Sequence, residues 1–253
     1  MSRIIVLGAS GSLGKHVVEQ AVAAKHEVSV LVRTPSKLPA DLRDSVTIHQ
    51  ADIATLSTSQ LATLARNQDA LINTAGLVSD GQRFVALVDH IVTSIETFPA
   101  SERPVCWFLA GAGVLDIGES GRMGVDLPLI KKTYWPHAKN FNRLRSSSLD
   151  WRLLCPGPMV EGPPLGISKL RVSNERLPVH TPAVVRWLPN LLLVPVFAFR
   201  VPEMIVPYAD ASALMLNNLQ PASAMSHHRI GLALPLGMRG KKERWSARSS
   251  TVS

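Results

Sequence analysis

Several things are scarce in this sequence, and each shortage narrows its reading. Only two of the 253 residues are cysteine, Cys106 and Cys155, and no CxxC or Cys/His cluster occurs. No zinc site is therefore expected. Each cysteine lies in an apolar, strand-like run, VCWFL or WRLLC, so reduced core thiols are the leading reading and a redox pair the minor one. Long apolar runs are missing too. The most apolar region, Leu191–Phe199, is interrupted by Pro195 and flanked by Arg186 and Arg200. It falls well short of the roughly 20 residues of a membrane span. The apolar stretch before Gly8 is too short for a secretory leader, so a cytoplasmic protein without a transmembrane segment is expected. There is no GxSxG elbow and no evident acid–histidine pair, which argues against nucleophilic hydrolysis. Acidic residues are also in deficit, 19 against 27 basic ones, for a net charge of +8. Half of that excess sits in residues 238–253 (MRGKKERWSARSSTVS), so a nucleic-acid partner is not expected and a solvated tail is the leading reading.

What is present suffices for a core: 46% of residues are hydrophobic and 18% charged, which excludes wholesale disorder. Strand-like and helix-like patterns alternate through the first 155 residues. Ile4–Leu7, Val28–Val32, Val46–His49, Ala70–Asn73, Val105–Leu109 and Trp151–Cys155 read as six strands. Leu13–Ala24, a segment around Leu61–Ala65, and Phe84–Phe98 read as helices. In the last, apolar residues recur at i, i+3 and i+4. A further helix is expected from near Pro136 to about Ser147, proline suiting a first turn. This alternation predicts an α/β fold, a doubly wound parallel sheet with helices on both faces. Prolines then crowd residues 156–207, predicting a small cap of short helices and loops. A helix over Ala209–Leu219 and a strand over Arg229–Leu234 close the chain. Residues 1–237 are expected to form one domain (core 1–160, cap and closing elements 161–237), followed by a disordered tail at 238–253.

The strongest motif is GASGSLG, Gly8 to Gly14, lying between a buried strand and a helix. Small residues there let the backbone approach a pyrophosphate, and the helix N-terminus offers it free N–H groups and partial positive charge. Gly8, Ser10, Gly11, Ser12, Leu13 and Gly14 are the candidate contacts; an incidental glycine-rich turn is the competing reading. After the second strand, LVRTPSKL offers Arg33, Thr34, Ser36 and Lys37, with no acid between Ser29 and Ala40. NAD sites usually place an acid there for the ribose hydroxyls. Arg33 and Lys37 suit a 2′-phosphate instead, so NADP(H) is favoured over NAD, against an exposed basic turn. Asp52 and Ile53 follow the third strand, suited to the adenine amine and ring. Thr74, Ala75 and Gly76 follow the fourth, where a small-residue loop would pass the adenosine ribose and diphosphate. Either segment also reads as an ordinary strand-end turn.

IIVLGASGSLGKHVV, LVRTPSKL, ADI and INTAG together resemble the short-chain dehydrogenase/reductase superfamily, specifically its atypical NmrA-like NAD(P)-binding branch. The resemblance covers residues 1–160 and extends to YADASALML, which is similar to that branch's Asp-Ala helix. It implies a Rossmann domain with a small C-terminal substrate region. It also implies one of three functions: an NADPH-dependent reductase, an isomerase or epimerase that retains its cofactor, or a redox sensor without turnover. The superfamily's usual reacting set is a Ser after the fifth strand with Tyr and Lys spaced YxxxK. Here Ala110-Gly111-Ala112-Gly113 carries no hydroxyl, and Tyr134 is followed by Lys139, five positions on. Tyr134 and Lys139 are the catalytic candidates, with His137 as an alternative proton donor. Pro156, Gly157 and Met159 are implied to border the reaction site. The apolar series from Trp187 to Met204 reads as a pocket wall, a dimer surface or a cover for the sheet. The reading that follows is an NADP(H)-binding oxidoreductase of a small, lipophilic organic substrate, monomeric or homodimeric.

Overall fold

The computed structural model describes residues 1–76 and 78–241. Six strands come first: β1 (Arg3–Leu7), β2 (Glu27–Val32), β3 (Thr47–Gln50), β4 (Ala70–Asn73), β5 (Val105–Leu109) and β6 (Trp151–Cys155). The helices between them are α1 (Ser12–Ala23), α2 (Ala40–Arg43), α3 (Thr58–Ala65), α4 (Gly81–Glu96) and α5 (Pro128–Arg145). Beyond β6 lie β7 (Met159–Val160), β8 (Arg171–Asn174), α6 (Asn190–Arg200), β9 (Val206–Pro207), α7 (Tyr208–Leu216) and β10 (His228–Ala233).

Eight strands form one sheet in the order β3-β2-β1-β4-β5-β6-β10-β8. Seven run parallel; β8 pairs antiparallel with β10 at the edge. Alternating side chains divide the core into two layers. Ile5, Leu7, Leu71, Cys106, Phe108 and Leu153 pack toward α3, α4 and α5. Ile4, Val6, Val30, Ile72, Trp107 and Leu154 pack toward α1 and α7. Both cysteines are free and buried. Burial pushes the Cys106 thiol up to about 12 and raises that of Cys155 further, so both stay protonated.

The structure departs from the sequence expectation in four places. Helix α5 starts at Pro128, eight residues before Pro136, which lies inside the helix. Both prolines suit a first turn, and Pro128 is the one that takes it, at N1 where a missing N–H costs nothing. Strand β8 was not expected: RVSN alternates half-buried and exposed residues and lacks the continuous apolar run of the central strands. Pro195 sits within α6 rather than ending it. Finally, the chain remains docked past 237: Gly240 N–H donates to the Pro202 carbonyl at 2.7 Å, and Arg239 donates to that of Phe199 at 2.7 Å. The expected tail otherwise lies outside the described residues. Among the described residues, no helix is long and apolar enough to cross a membrane.

The cap is fastened to the sheet by buried polar groups. Asp210, on α7, accepts the N–H groups of Leu165 and Gly166, each at 2.8 Å; this is the role of the acid in YADASALML. Arg229, on β10, joins Glu175 at 2.6 Å, Asp116 at 3.1 Å and the Val114 carbonyl at 2.7 Å.

Candidate cofactor and active site

Strand order reverses at β1 and β4, which are neighbours although β2 and β3 continue outward from β1. In open α/β sheets, ligands bind beyond the carboxyl ends of the strands at such a point. Leu7 is in register with Asn73, so the glycine loop and the loop after β4 leave the sheet side by side. Gly8 has φ +81, and a Cβ there would fall 2.6 Å from the Ala75 nitrogen. Only glycine satisfies both the left-handed backbone and that approach. Thr74 fastens the pair, its hydroxyl donating to the carbonyls of Leu7 at 3.0 Å and Gly8 at 3.2 Å. Asn73, buried, accepts the Ala75 N–H at 3.1 Å and so shapes the second loop.

Helix α1 begins directly behind Gly11. No side chain caps it, and no acid occupies its first turn. Its first intrahelical bond is Lys15 N–H to the Gly11 carbonyl, 2.9 Å. The amides of Ser12, Leu13 and Gly14 thus stand at the positive end of the helix dipole without a helical acceptor. Gly14 lets this end approach the sheet: a Cβ there would lie 2.8 Å from both the Ala9 Cα and the Thr74 hydroxyl. A glycine cradle in front of an uncapped helix fits a diphosphate. Ser10 and Ser12 border the loop, half-buried and exposed.

Arg33 and Lys37 are exposed past the end of β2. The Arg33 guanidinium lies 3.8 Å from the Asp52 carboxylate and remains 76% exposed, a weak pair that leaves the cation available. Asp52 also accepts the Ala54 N–H at 3.0 Å. Ile53 is buried in the core layer that holds Leu7 and Leu31.

The chemistry candidates separate on α5. Tyr134 and Lys139 are both exposed. Between them, His137 is buried, its ring stacked on that of Tyr134 at 6.1 Å and edge-on to Phe84 at 5.5 Å. Burial pushes the His137 imidazole down to about 4, so it is neutral at pH 7. One turn further, Asn140 is buried as well; sequence reasoning missed it, although its i+3 spacing from His137 was the available signal. Pro156 is buried, and its carbonyl accepts the Ala112 N–H at 2.7 Å, tying the loops after β5 and β6 together. An open cleft of about 440 Å³ bordered by Phe141, Trp151 and Arg229 lies at the amino ends of β6 and β10, away from the glycine loop.

The sequence matches the NAD(P)H-binding family over residues 8–187, from the glycine loop into the cap. The uncharacterized protein YwnB of Bacillus subtilis (strain 168) is 25% identical over 164 residues, covering 63% of this chain and 73% of that protein. A short-chain dehydrogenase/reductase (wide type) from Veillonella parvula DSM 2008, solved in complex with NADP, is 14% identical with a TM-score of 0.67, covering 96% of this chain and 99% of that one. ChuY, an anaerobillin reductase from Escherichia coli O157:H7, is 18% identical with a TM-score of 0.62, covering 92% and 98%. At such identities the two structures show the fold alone. The resemblance to atypical short-chain dehydrogenase/reductases holds at the level of an NAD(P)-binding Rossmann branch.

Proposed function

The chain belongs to the NAD(P)H-binding family, and from that premise we propose that it is an NADP(H)-dependent oxidoreductase of a small, apolar organic substrate, working in the cytoplasm. The observation that carries the reading is the uncapped α1 N-terminus behind the Gly8–Gly14 cradle, with Arg33 and Lys37 exposed beyond β2 and no acid between Ser29 and Ala40. When bound, the cofactor supplies a hydride to an unsaturated carbon or takes one back. The amides of Ser12, Leu13 and Gly14 hold the diphosphate. Thr74, Ala75 and Gly76 flank it, while Arg33 and Lys37 take the 2′-phosphate. Asp52 and Ile53 face the adenine. Tyr134 and Lys139 stand at the mouth of the reacting end, and Pro156 borders it. Residues 1–237 act in this reading as one unit, with the cap over the substrate side.

A second reading, an NADP(H)-responsive regulator without turnover, draws on the loop Ala110–Gly113, which has no hydroxyl, and on the exposure of Tyr134. The test of cofactor choice is a pair of titrations with NADPH and NADH on wild type and Arg33→Ala. Loss of a charged hydrogen bond of roughly 1.5–3 kcal/mol corresponds to about 10- to 100-fold. The variant should lose that much affinity for NADPH and less than about threefold for NADH. Equal losses would reject the phosphate role.

A further inference from the structure

We propose that His137 is the catalytic residue that holds the substrate's carbonyl oxygen, through its Nε2–H. The inference rests on the cofactor reading above and names the substrate class that goes with it: a largely apolar aldehyde, ketone or quinone.

The first support is an unmet demand for hydrogen bonds. His137 is 6% exposed and Asn140 3% exposed. The His137 Nδ1 and both amide atoms of Asn140 are buried without a hydrogen-bond partner. Among the described residues, Asn140 is the one side chain with two such atoms. Leaving buried polar groups unpaired is costly, and apolar residues on the same helix face, Phe141 and Leu144, fill their places readily. Of these two side chains, His137 also has a ring edge outside that closed-off set, Nε2, and this edge faces Gly111.

The second support is location. A Cβ placed on Gly111 would lie 3.6 Å from His137 Nε2. Gly111 is two residues beyond β5, in the loop whose next amide is bonded to Pro156. Phe84, edge-on to His137, also closes against Gly76. His137 therefore adjoins the loops that leave β4 and β5 and, through Ala112, the loop after β6. A Cβ at Gly111 would only reach van der Waals contact with the imidazole, so the loop after β5 leaves the Nε2 edge uncrowded.

The third support is polarity. The Phe84 ring, edge-on, and the Tyr134 ring, stacked, cover the imidazole with apolar surface. One donor in an apolar pocket selects a ligand with a single strong acceptor, which a carbonyl compound provides. A neutral imidazole suffices to polarise that oxygen. In the reduction, the carbonyl carbon gains a hydride from NADPH, which departs as NADP⁺. The π pair moves onto the oxygen, and that oxygen, held by Nε2–H, takes one proton from water. His137 ends the cycle unchanged.

The test compares wild type with His137→Phe, His137→Gln and Tyr134→Phe. NADPH affinity is read by titration, thermal unfolding by calorimetry, and turnover with 9,10-phenanthrenequinone, menadione and benzaldehyde. Ring ¹⁵N spectra of histidine-labelled protein saturated with NADP⁺ supply a readout independent of turnover, with His137 assigned from His137→Gln. Expected are NADPH affinities within about threefold of wild type for both His137 variants, and an unchanged or raised Tm for His137→Phe. Turnover should fall about 100-fold or more in His137→Phe and less in His137→Gln, whose amide keeps a donor near Nε2. At least one probe should shift the His137 ring resonances. The proposal is overturned if His137→Phe keeps turnover within threefold, if Tyr134→Phe produces the large loss instead, or if no probe shifts those resonances and none is reduced. Should His137→Phe not fold, the Gln variant carries the same comparison. Wild type that binds no NADPH sinks the cofactor reading itself; the other contrary outcomes sink only this one.

Discussion

The two ends of the proposed site rest on opposite principles. The phosphate end, Gly8–Gly14 with Thr74–Gly76, works with backbone amides and depends on side chains being absent. The proposed reacting end, on α5, would work through a buried side chain and depend on His137 being present. The difference teaches how each should answer to mutation: the first tolerates truncation and fails on addition, while the second does the reverse.

The largest effect is expected where a side chain is added at the phosphate end. In Gly14→Val, a branched side chain meets Ala9 and Thr74, forcing α1 away from the sheet. Overpacking of this kind costs about 3 kcal/mol, and NADPH affinity should fall more than about tenfold because the helix N-terminus moves with it. Calorimetry and a cofactor titration read both. Ser12→Ala, which truncates, should change affinity by less than about threefold; a loss as large as that of Gly14→Val would break the comparison.

At the reacting end the sharper probe is acid. The His137 imidazole is held down to about 4 by burial, against about 6.5 in the unfolded chain. Its contribution is fully present above pH 6.5 and is lost as pH falls from there toward 4, because only the unfolded state takes up the proton. Over that window the loss is about 3 kcal/mol. Glu96, Glu175 and Glu203 have lowered values, so their losses begin only as pH falls through the ordinary glutamate value of about 4.3, at the foot of that window. Denaturant melts from pH 8 to pH 4 should show the step in wild type and a flattened curve in His137→Phe. An identical step in both would mean another group titrates there.

The cap tests whether its fastening is local. Asp210→Asn leaves one acceptor for two N–H groups held at 2.8 Å, a loss of about 2 kcal/mol. Chemical denaturation measures it, and hydrogen exchange should quicken at Leu165 and Gly166 before it does in the central strands. The smallest effect belongs to Trp187→Ser. Trp187 is 78% exposed, so stability should move by less than about 0.5 kcal/mol. A larger loss would show that the exposed apolar face of Trp187, Leu191 and Phe199 is covered in solution.

How much of this was legible in the sequence follows from the same contrast. The phosphate end is contiguous, seven residues between a buried strand and a helix, and local spacing announces it. Strands β4, β5 and β6 have the bounds their apolar runs suggest. The reacting end is assembled by tertiary contact: Gly111, Phe84 and His137 come together from two helices and a loop, and no spacing in the sequence records that. A helix that begins at Pro136 leaves Tyr134 outside it, whereas α5 begins at Pro128 and carries Tyr134, His137 and Asn140 on one helix. β8 was missed for a related reason, since its pairing partner β10 lies more than 50 residues away.

The most direct measurement of the central claim is an amide ¹H–¹⁵N footprint of NADPH on the wild-type protein. The account predicts saturable shifts concentrated at Gly11, Ser12, Leu13, Ala75 and Gly76, with Arg33 responding to NADPH and much less to NADH. Absence of saturable binding, or a footprint confined to the opposite, amino-terminal edge of the sheet, would contradict it.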